Sequence, residues 1–182
     1  MVDRPMASDA LISTSLDELR KVKKLADKAI AQLDDAQLHA RLDGDANSVA
    51  ILMRHMAGNM RSRWTDFLTS DGEKPDRQRD QEFEPADVPR EALLADWEDG
   101  WQAVFDALTP LSDADLTRIV VIRSEPHTVH KAICRQIVHY AGHAYQIVML
   151  AKHLRGAAWT TLSIPRGQSD EFNRRMQARA KQ

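Results

Sequence analysis

The sequence predicts an all-α fold, a four-helix bundle with long connections. Apolar residues recur at helical spacing in four separate stretches, and charge, glycine and proline collect between them. Only one β-branched run of note, TRIVVIR at 117–123, breaks that pattern. Together these point to helices packed on helices around one core. The 182 residues match the length of one domain, 1–182, able to bury a sizeable core.

The first helix runs from Asp9 to Leu33 and sets Leu16, Leu19, Val22, Ala26, Ala29 and Leu33 on one stripe. The polar QLHARLDGDAN follows, and Asn47 or Ser48 supplies the N-cap of a second helix that reaches Thr69. Residues 70–89, dense in charge, Gly and Pro, read as a long connection. A third helix opens near Pro89, lays Leu93, Trp97, Trp101, Val104 or Phe105, and Leu108 along one face, and stops at Pro110. TRIVVIR then predicts a short extended segment or hairpin. The fourth helix spans Thr128 to Leu154, with Gly156 as its stop. The tail begins extended, turns at Pro165–Gly167 and adds a short helix capped by Ser169.

Composition excludes several classes. An apolar share of 43% beside 29% charged residues is a soluble globular profile, neither disordered nor membranous. A formal charge of −2 gives no global basic field for nucleic acid or anionic lipid. Cys134 is the one cysteine, which rules out an internal disulfide and a cysteine-rich zinc site and suits a reducing compartment. Neither a signal pattern nor a membrane-length apolar run is present. The expectation is a cytoplasmic protein without nucleic-acid or membrane partners.

The chemistry gathers on three histidines. His139 and His143 stand four apart in IVHYAGHAYQIV, and His55 lies alone in SVAILMRHMAGNM. A pair at i,i+4 projects from one helix face. At about 100° per residue, the sector of His139 collects Gln146, Ala132, Leu150, His143 and Gln136. The pair therefore faces the bundle interior or a cleft opening from it. Val138, Met149, Ile137 and Val148 on the other side make the helix apolar nearly all round, so it is either central or buried at a subunit interface. On the second helix Ser48, Ile51, Leu52, Asn59, Ser62 and Asp66 share the sector of His55, opposite Val49, Met53, Met60, Trp64 and Phe67. Set against the fourth helix, His55 becomes a third ligand to a divalent metal, with Asn59 and Gln146 lining the pocket.

A bland alternative stands beside this one. A buried histidine is often satisfied by a backbone carbonyl, and buried polar groups must be paired somehow. His127 and His130 lie at a helix start where solvent suffices, and His39 and His153 lie at exposed ends. Cys134 projects away from His139 and reads as a small buried hydrophobe. Trp64, Trp97 and Trp101 read as core, and the basic tail RRMQARAK as a solvated face. Arg166 and Gly167 stand in a turn that could close over the pocket. Residue 140 is Tyr, so the pair is no H-E-x-x-H zinc-protease helix. Phosphate loop, nucleophile elbow and the Glu-x-x-His of di-iron bundles are absent as well.

A lone His in the second helix, then H-x-x-x-H with a Gln three residues later in the fourth, resembles the DinB-like (YfiT-like) metal-binding four-helix bundles. HMAGNMRSRWTDFLTSDGEKPDRQRDQEFE, LLADWEDGWQAVFDAL, IRSEPHTVHKAICRQIVHYAGHAYQIV and WTTLSIPRGQSDEFN are similar to one of its subfamilies of unknown function. The resemblance implies a divalent ion, often zinc or nickel, held by His55, His139 and His143, frequently in a homodimer. It also implies varied activities, among them thiol-dependent transfer with low-molecular-weight thiols.

Three neutral imidazoles leave an ion its full charge and an open position, the catalytic type of coordination. Such an ion can hold a small thiol as thiolate or lower the pKa of bound water to roughly 7. In the histidine sectors the only carboxylate is Asp66, three turns from His55. Lack of a base favours the thiol. The leading expectation is a thiol-dependent S-transferase acting on a small-molecule substrate. The alternatives are a metal-dependent hydrolase and a non-catalytic, stress-related metal- or ligand-binding protein.

Overall fold

The computed structural model describes residues 10–180. In chain order come α1 (Ala10–Ile30), α2 (Asp35–His39), α3 (Val49–Trp64), α4 (Arg90–Leu108), strands β1 (Ile119–Ile122) and β2 (Glu125–Thr128), α5 (Val129–Arg155) and α6 (Ser169–Arg179). The bundle is formed by α1, α3, α4 and α5, with α3 packed chiefly on α4 and α1 on α5. This is the expected all-α bundle with an extra C-terminal helix. The expected start at Asp9 lies outside the described residues.

The stripe of α1 is the one the spacing indicates: Leu16, Leu19, Ala26 and Ala29 are buried, joined by Ile12 and Ile30. Leu33 is buried beyond the helix end. The polar connection after it hides α2, a single turn and a half that its own chemistry nucleates. Asp34 accepts the Gln37 backbone N–H and Gln37 returns the bond, a reciprocal cap. Ser48 caps α3, accepting from the Ile51 N–H at 3.2 Å. That helix ends at Trp64 rather than Thr69, and Asp66 takes φ 50°, outside the helical region.

The central helix is α3, not α5. Nearly every side chain of α3 is buried, including the face opposite His55. On α5 the outer face meets solvent instead: Val138, Tyr145 and Met149 are 74%, 64% and 60% exposed. Cys134 lies on that face and is exposed, contrary to the buried reading. Periodicity marked α5 as apolar all round but could not tell a core face from an uncovered one.

TRIVVIR forms the first strand of a hairpin, with Ile122 paired to Glu125. Its two-residue loop, Arg123 and Ser124, takes φ 55° and 61°, the primed-turn geometry that matches strand twist. The Asp71 carboxylate steadies it by accepting the N–H groups of Arg123 and Ser124 at 2.8 and 2.7 Å. The Glu73 N–H, then those of Ser124 and Arg123, hold the Asp71 carboxyl below its usual range. Connection 70–89 is thereby pinned along the bundle, and the Gly72 N–H bonds Val121 O at 2.8 Å. Gly156 ends α5 at φ 53°, and α6 buries none of its residues, its N-cap being Gln168 rather than Ser169.

No helix among the described residues is long and apolar enough to cross a membrane. Trp64, Trp97 and Trp101 are core, as read. Trp97 and Trp101 are buried with rings 5.7 Å apart.

Candidate metal centre

The three histidines selected from the sequence meet. His55 enters from α3, and His139 and His143 from successive turns of α5. Their candidate ligand nitrogens all lie within 4.8 Å of one another. His139 Nε2 is 3.4 Å from His55 Nε2 and 3.1 Å from His143 Nε2. Nitrogens about 2.0–2.1 Å from one ion stand about 3.3 Å apart at tetrahedral angles and about 2.9 Å at right angles. Both measured separations fall in that range, and the cluster can hold a metal ion.

The outer nitrogens explain why the inner ones are bare. His55 Nδ1 lies 2.9 Å from Glu82 Oε2, and His143 Nδ1 lies 2.8 Å from Gln146 Oε1. Both partners are acceptors, so each Nδ1 carries the proton and each Nε2 points inward as a lone pair. Two lone pairs then converge on His139 Nε2. One proton there could satisfy one of them; a cation satisfies all three.

Electrostatics keep His139 and His143 neutral. Burial, then the neighbouring His143 and His55, lower the His139 pKa to about 3. Burial also lowers that of His143, against a raising hydrogen bond from Gln146. Protons therefore compete weakly for these sites near neutrality.

Glu82 is the residue that helical sectors missed. It belongs to a 3-10 turn, Arg79–Glu82, inside the 70–89 connection. Arg77 grips it with two bonds of 2.8 Å, Nε to Oε1 and Nη2 to Oε2. Burial pushes a carboxyl up, but the bonds from His55 and Arg77 outweigh it and leave Glu82 below its ordinary value. A carboxylate so engaged orients His55 in the way carboxylates support metal-bound imidazoles. One trace of it stands in the helix. A Cβ at Gly58, one turn after His55, would overlap the Glu82 carboxylate.

The two expected pocket residues divide in role. Asn59 is buried and lines a cavity of about 200 Å³ that also touches His55 and His139. Its Oδ1 accepts from the Tyr140 hydroxyl at 3.1 Å, which in turn accepts from Trp64 Nε1 at 2.9 Å. The Asn59 amide hydrogens are thus left for the cavity. Gln146 is exposed and works instead through His143. A larger hollow of about 660 Å³ lies on the far side of Glu82 and does not reach the histidines.

Other histidines depart in part from their readings. His130 and His153 are exposed. His39 is half-buried, 3.1 Å from Val88 O. His127, expected in solvent, is 4% exposed, since β2 turns it under the hairpin. Arg166 and Gly167 do not line the cavity.

A family described as a protein of unknown function (DUF1572) matches residues 7–168. The chain belongs to that family. The match takes in both histidine helices and the connection carrying Glu82. No curated protein matches the chain. The family description assigns no activity, so the chemistry has to come from the site.

Proposed function

We propose that this chain is a divalent-metal-dependent enzyme of the DinB-like superfamily that transfers a small thiol to an electrophile. His55, His139 and His143 are the ligands, with zinc or nickel as the ion. The observation that carries the reading is the convergence of three Nε2 atoms, on two of whose rings the outer nitrogen is already committed. The DinB-like assignment is supported by the helix order and by the histidine positions on α3 and α5.

A divalent ion in that position acidifies a bound thiol at neutral pH. The protein's own residues do the rest. Glu82 and Gln146 hold two imidazoles in the tautomer that presents Nε2. Asn59 offers amide hydrogens to whatever enters the cavity. Among the described residues no carboxylate lines that cavity, and Glu82 is held as the anion by Arg77. No free proton acceptor stands where water activation needs one, which favours a thiol that needs no further base.

The test has two parts. Purified protein should retain about one zinc or nickel per chain, lost in His143→Ala. Turnover of monochlorobimane should then require both the metal and a small thiol. Hydrolysis is the second reading, supported by Glu82 as a carboxylate one hydrogen bond behind His55. It predicts cleavage of activated esters without thiol. A non-catalytic binding protein predicts neither reaction. Metal-free protein with unchanged stability in all three His→Ala variants would overturn the metal centre itself.

We further propose a homodimer through the outer face of α5 in the cytoplasm. Val138, Tyr145 and Met149 support the first as an uncovered apolar stripe, and the free Cys134 suits the second. Light scattering of wild type beside Val138→Glu/Met149→Glu decides the dimer. A wild-type monomer sinks it.

A further inference from the structure

The wall of the cavity beside the histidines is unusually basic. Arg63, Arg77, Arg79, Arg123 and Arg135 line it together with Gln136. Arg63, Arg77 and Arg123 share two carboxylates, Glu73 and Glu82. Arg79 pairs in charge only with Asp80, at 3.4 Å in open solvent, a pair worth little, and lies over the Phe83 ring at 5.0 Å. Arg135 has no ion pair among the described residues. With Asp71 at the hairpin turn, five guanidiniums thus meet four carboxylates, an excess of one positive charge before any ion is counted.

The inner wall also carries polar groups awaiting a partner. Among the described residues Arg63 Nε and Gln136 Oε1 are buried without a hydrogen bond, which native structures rarely tolerate without a reason, and Arg77 Nη1 has only Glu73 Oε1 at 3.5 Å. Gln136 is 3% exposed, and its amide, turned over, presents two donors. Space sets the size of the guest. About 200 Å³ is room for six or seven waters at ~30 Å³ each, a small head group rather than a whole cofactor.

We infer that this cavity binds the anionic head group, carboxylate or phosphate, of a substrate whose reacting end lies at the histidines. Planar guanidiniums match such oxyanions with paired donors, and the surplus charge draws them in. Calling the anion a substrate rests on the proposed metalloenzyme. Its binding does not.

Calorimetry with malate, inorganic phosphate and the neutral diamide of malate tests this on wild type, Arg79→Gln, Arg135→Gln and His143→Ala. Both arginines are exposed, so the variants should fold. Malate or phosphate should bind and the diamide should not, the tighter anion identifying the head group. Each arginine variant should weaken binding about tenfold without changing metal content. His143→Ala should keep a measurable, arginine-dependent affinity. No anion binding below about 10 mM, equal binding of the diamide, or indifference to both arginine variants overturns the inference. Arginine-dependent binding by a wild type that never holds metal leaves it standing and removes the metalloenzyme reading instead.

Discussion

Adding one methyl group to α3 should separate the stability of this protein from its affinity for metal. Gly58 sits in the middle of the helix, where Ala is worth about 0.8–1 kcal/mol more than Gly. By that measure alone Gly58→Ala stabilises the metal-free chain. A Cβ there would lie 2.8 Å from Glu82 Cδ and overlap Oε1, whereas ordinary contact begins at 3.4 Å. The carboxylate must therefore retreat by more than about half an ångström, which takes Oε2 from 2.9 Å past the range of a good bond to His55 Nδ1. Loss of such an orienting partner weakens metal affinity about 10–100-fold, or about 1.4–2.7 kcal/mol. Urea unfolding of the metal-free protein and competition against a chromophoric zinc chelator give the two numbers. The expected result is opposite signs for Gly58→Ala, whereas Glu82→Gln lowers both, because it also takes a carboxylate from the buried Arg77 guanidinium. Unchanged zinc affinity in Gly58→Ala refutes the role given to Glu82.

Two further outcomes follow from the same geometry. In the metal-free chain His139 has a folded pKa of about 3 against about 6.5 unfolded, so below pH 6.5 the unfolded state takes up a proton that the folded state refuses. Stability should fall as pH drops from 6.5 toward 5, above carboxylate titration, and level off above 6.5. Urea midpoints should show that slope and His139→Gln should flatten it; a flat wild-type profile contradicts the buried neutral imidazole. Tyr140→Phe removes a hydroxyl that both accepts from Trp64 and donates to Asn59, orphaning two buried groups at about 1–3 kcal/mol each. Its urea midpoint should report a loss on the order of 2–6 kcal/mol, and a loss under about 0.5 kcal/mol would mean that the network carries no weight.

The histidine triad was legible because its members sit on helices, where angular position follows from counting. His139 and His143 share a face by spacing alone, and His55 shares a seam with Asn59 that the folded chain places against them. Counting fails where direction is set by what lies outside the helix. Val138 and Met149 look the same as core residues in sequence, and only the absence of a neighbour makes them surface. Connection 70–89 is harder still. Its residues have no period, so nothing along the chain says that Glu82 returns across 27 residues to His55 or that Arg77 and Arg123 share one cavity. What fixes their position is Asp71 gripping the hairpin turn, a contact between two irregular segments. The readable mark is negative. A helix rarely gives up a side chain in its middle without a reason, and Gly58, one turn from a histidine, is the space the missing carboxylate fills.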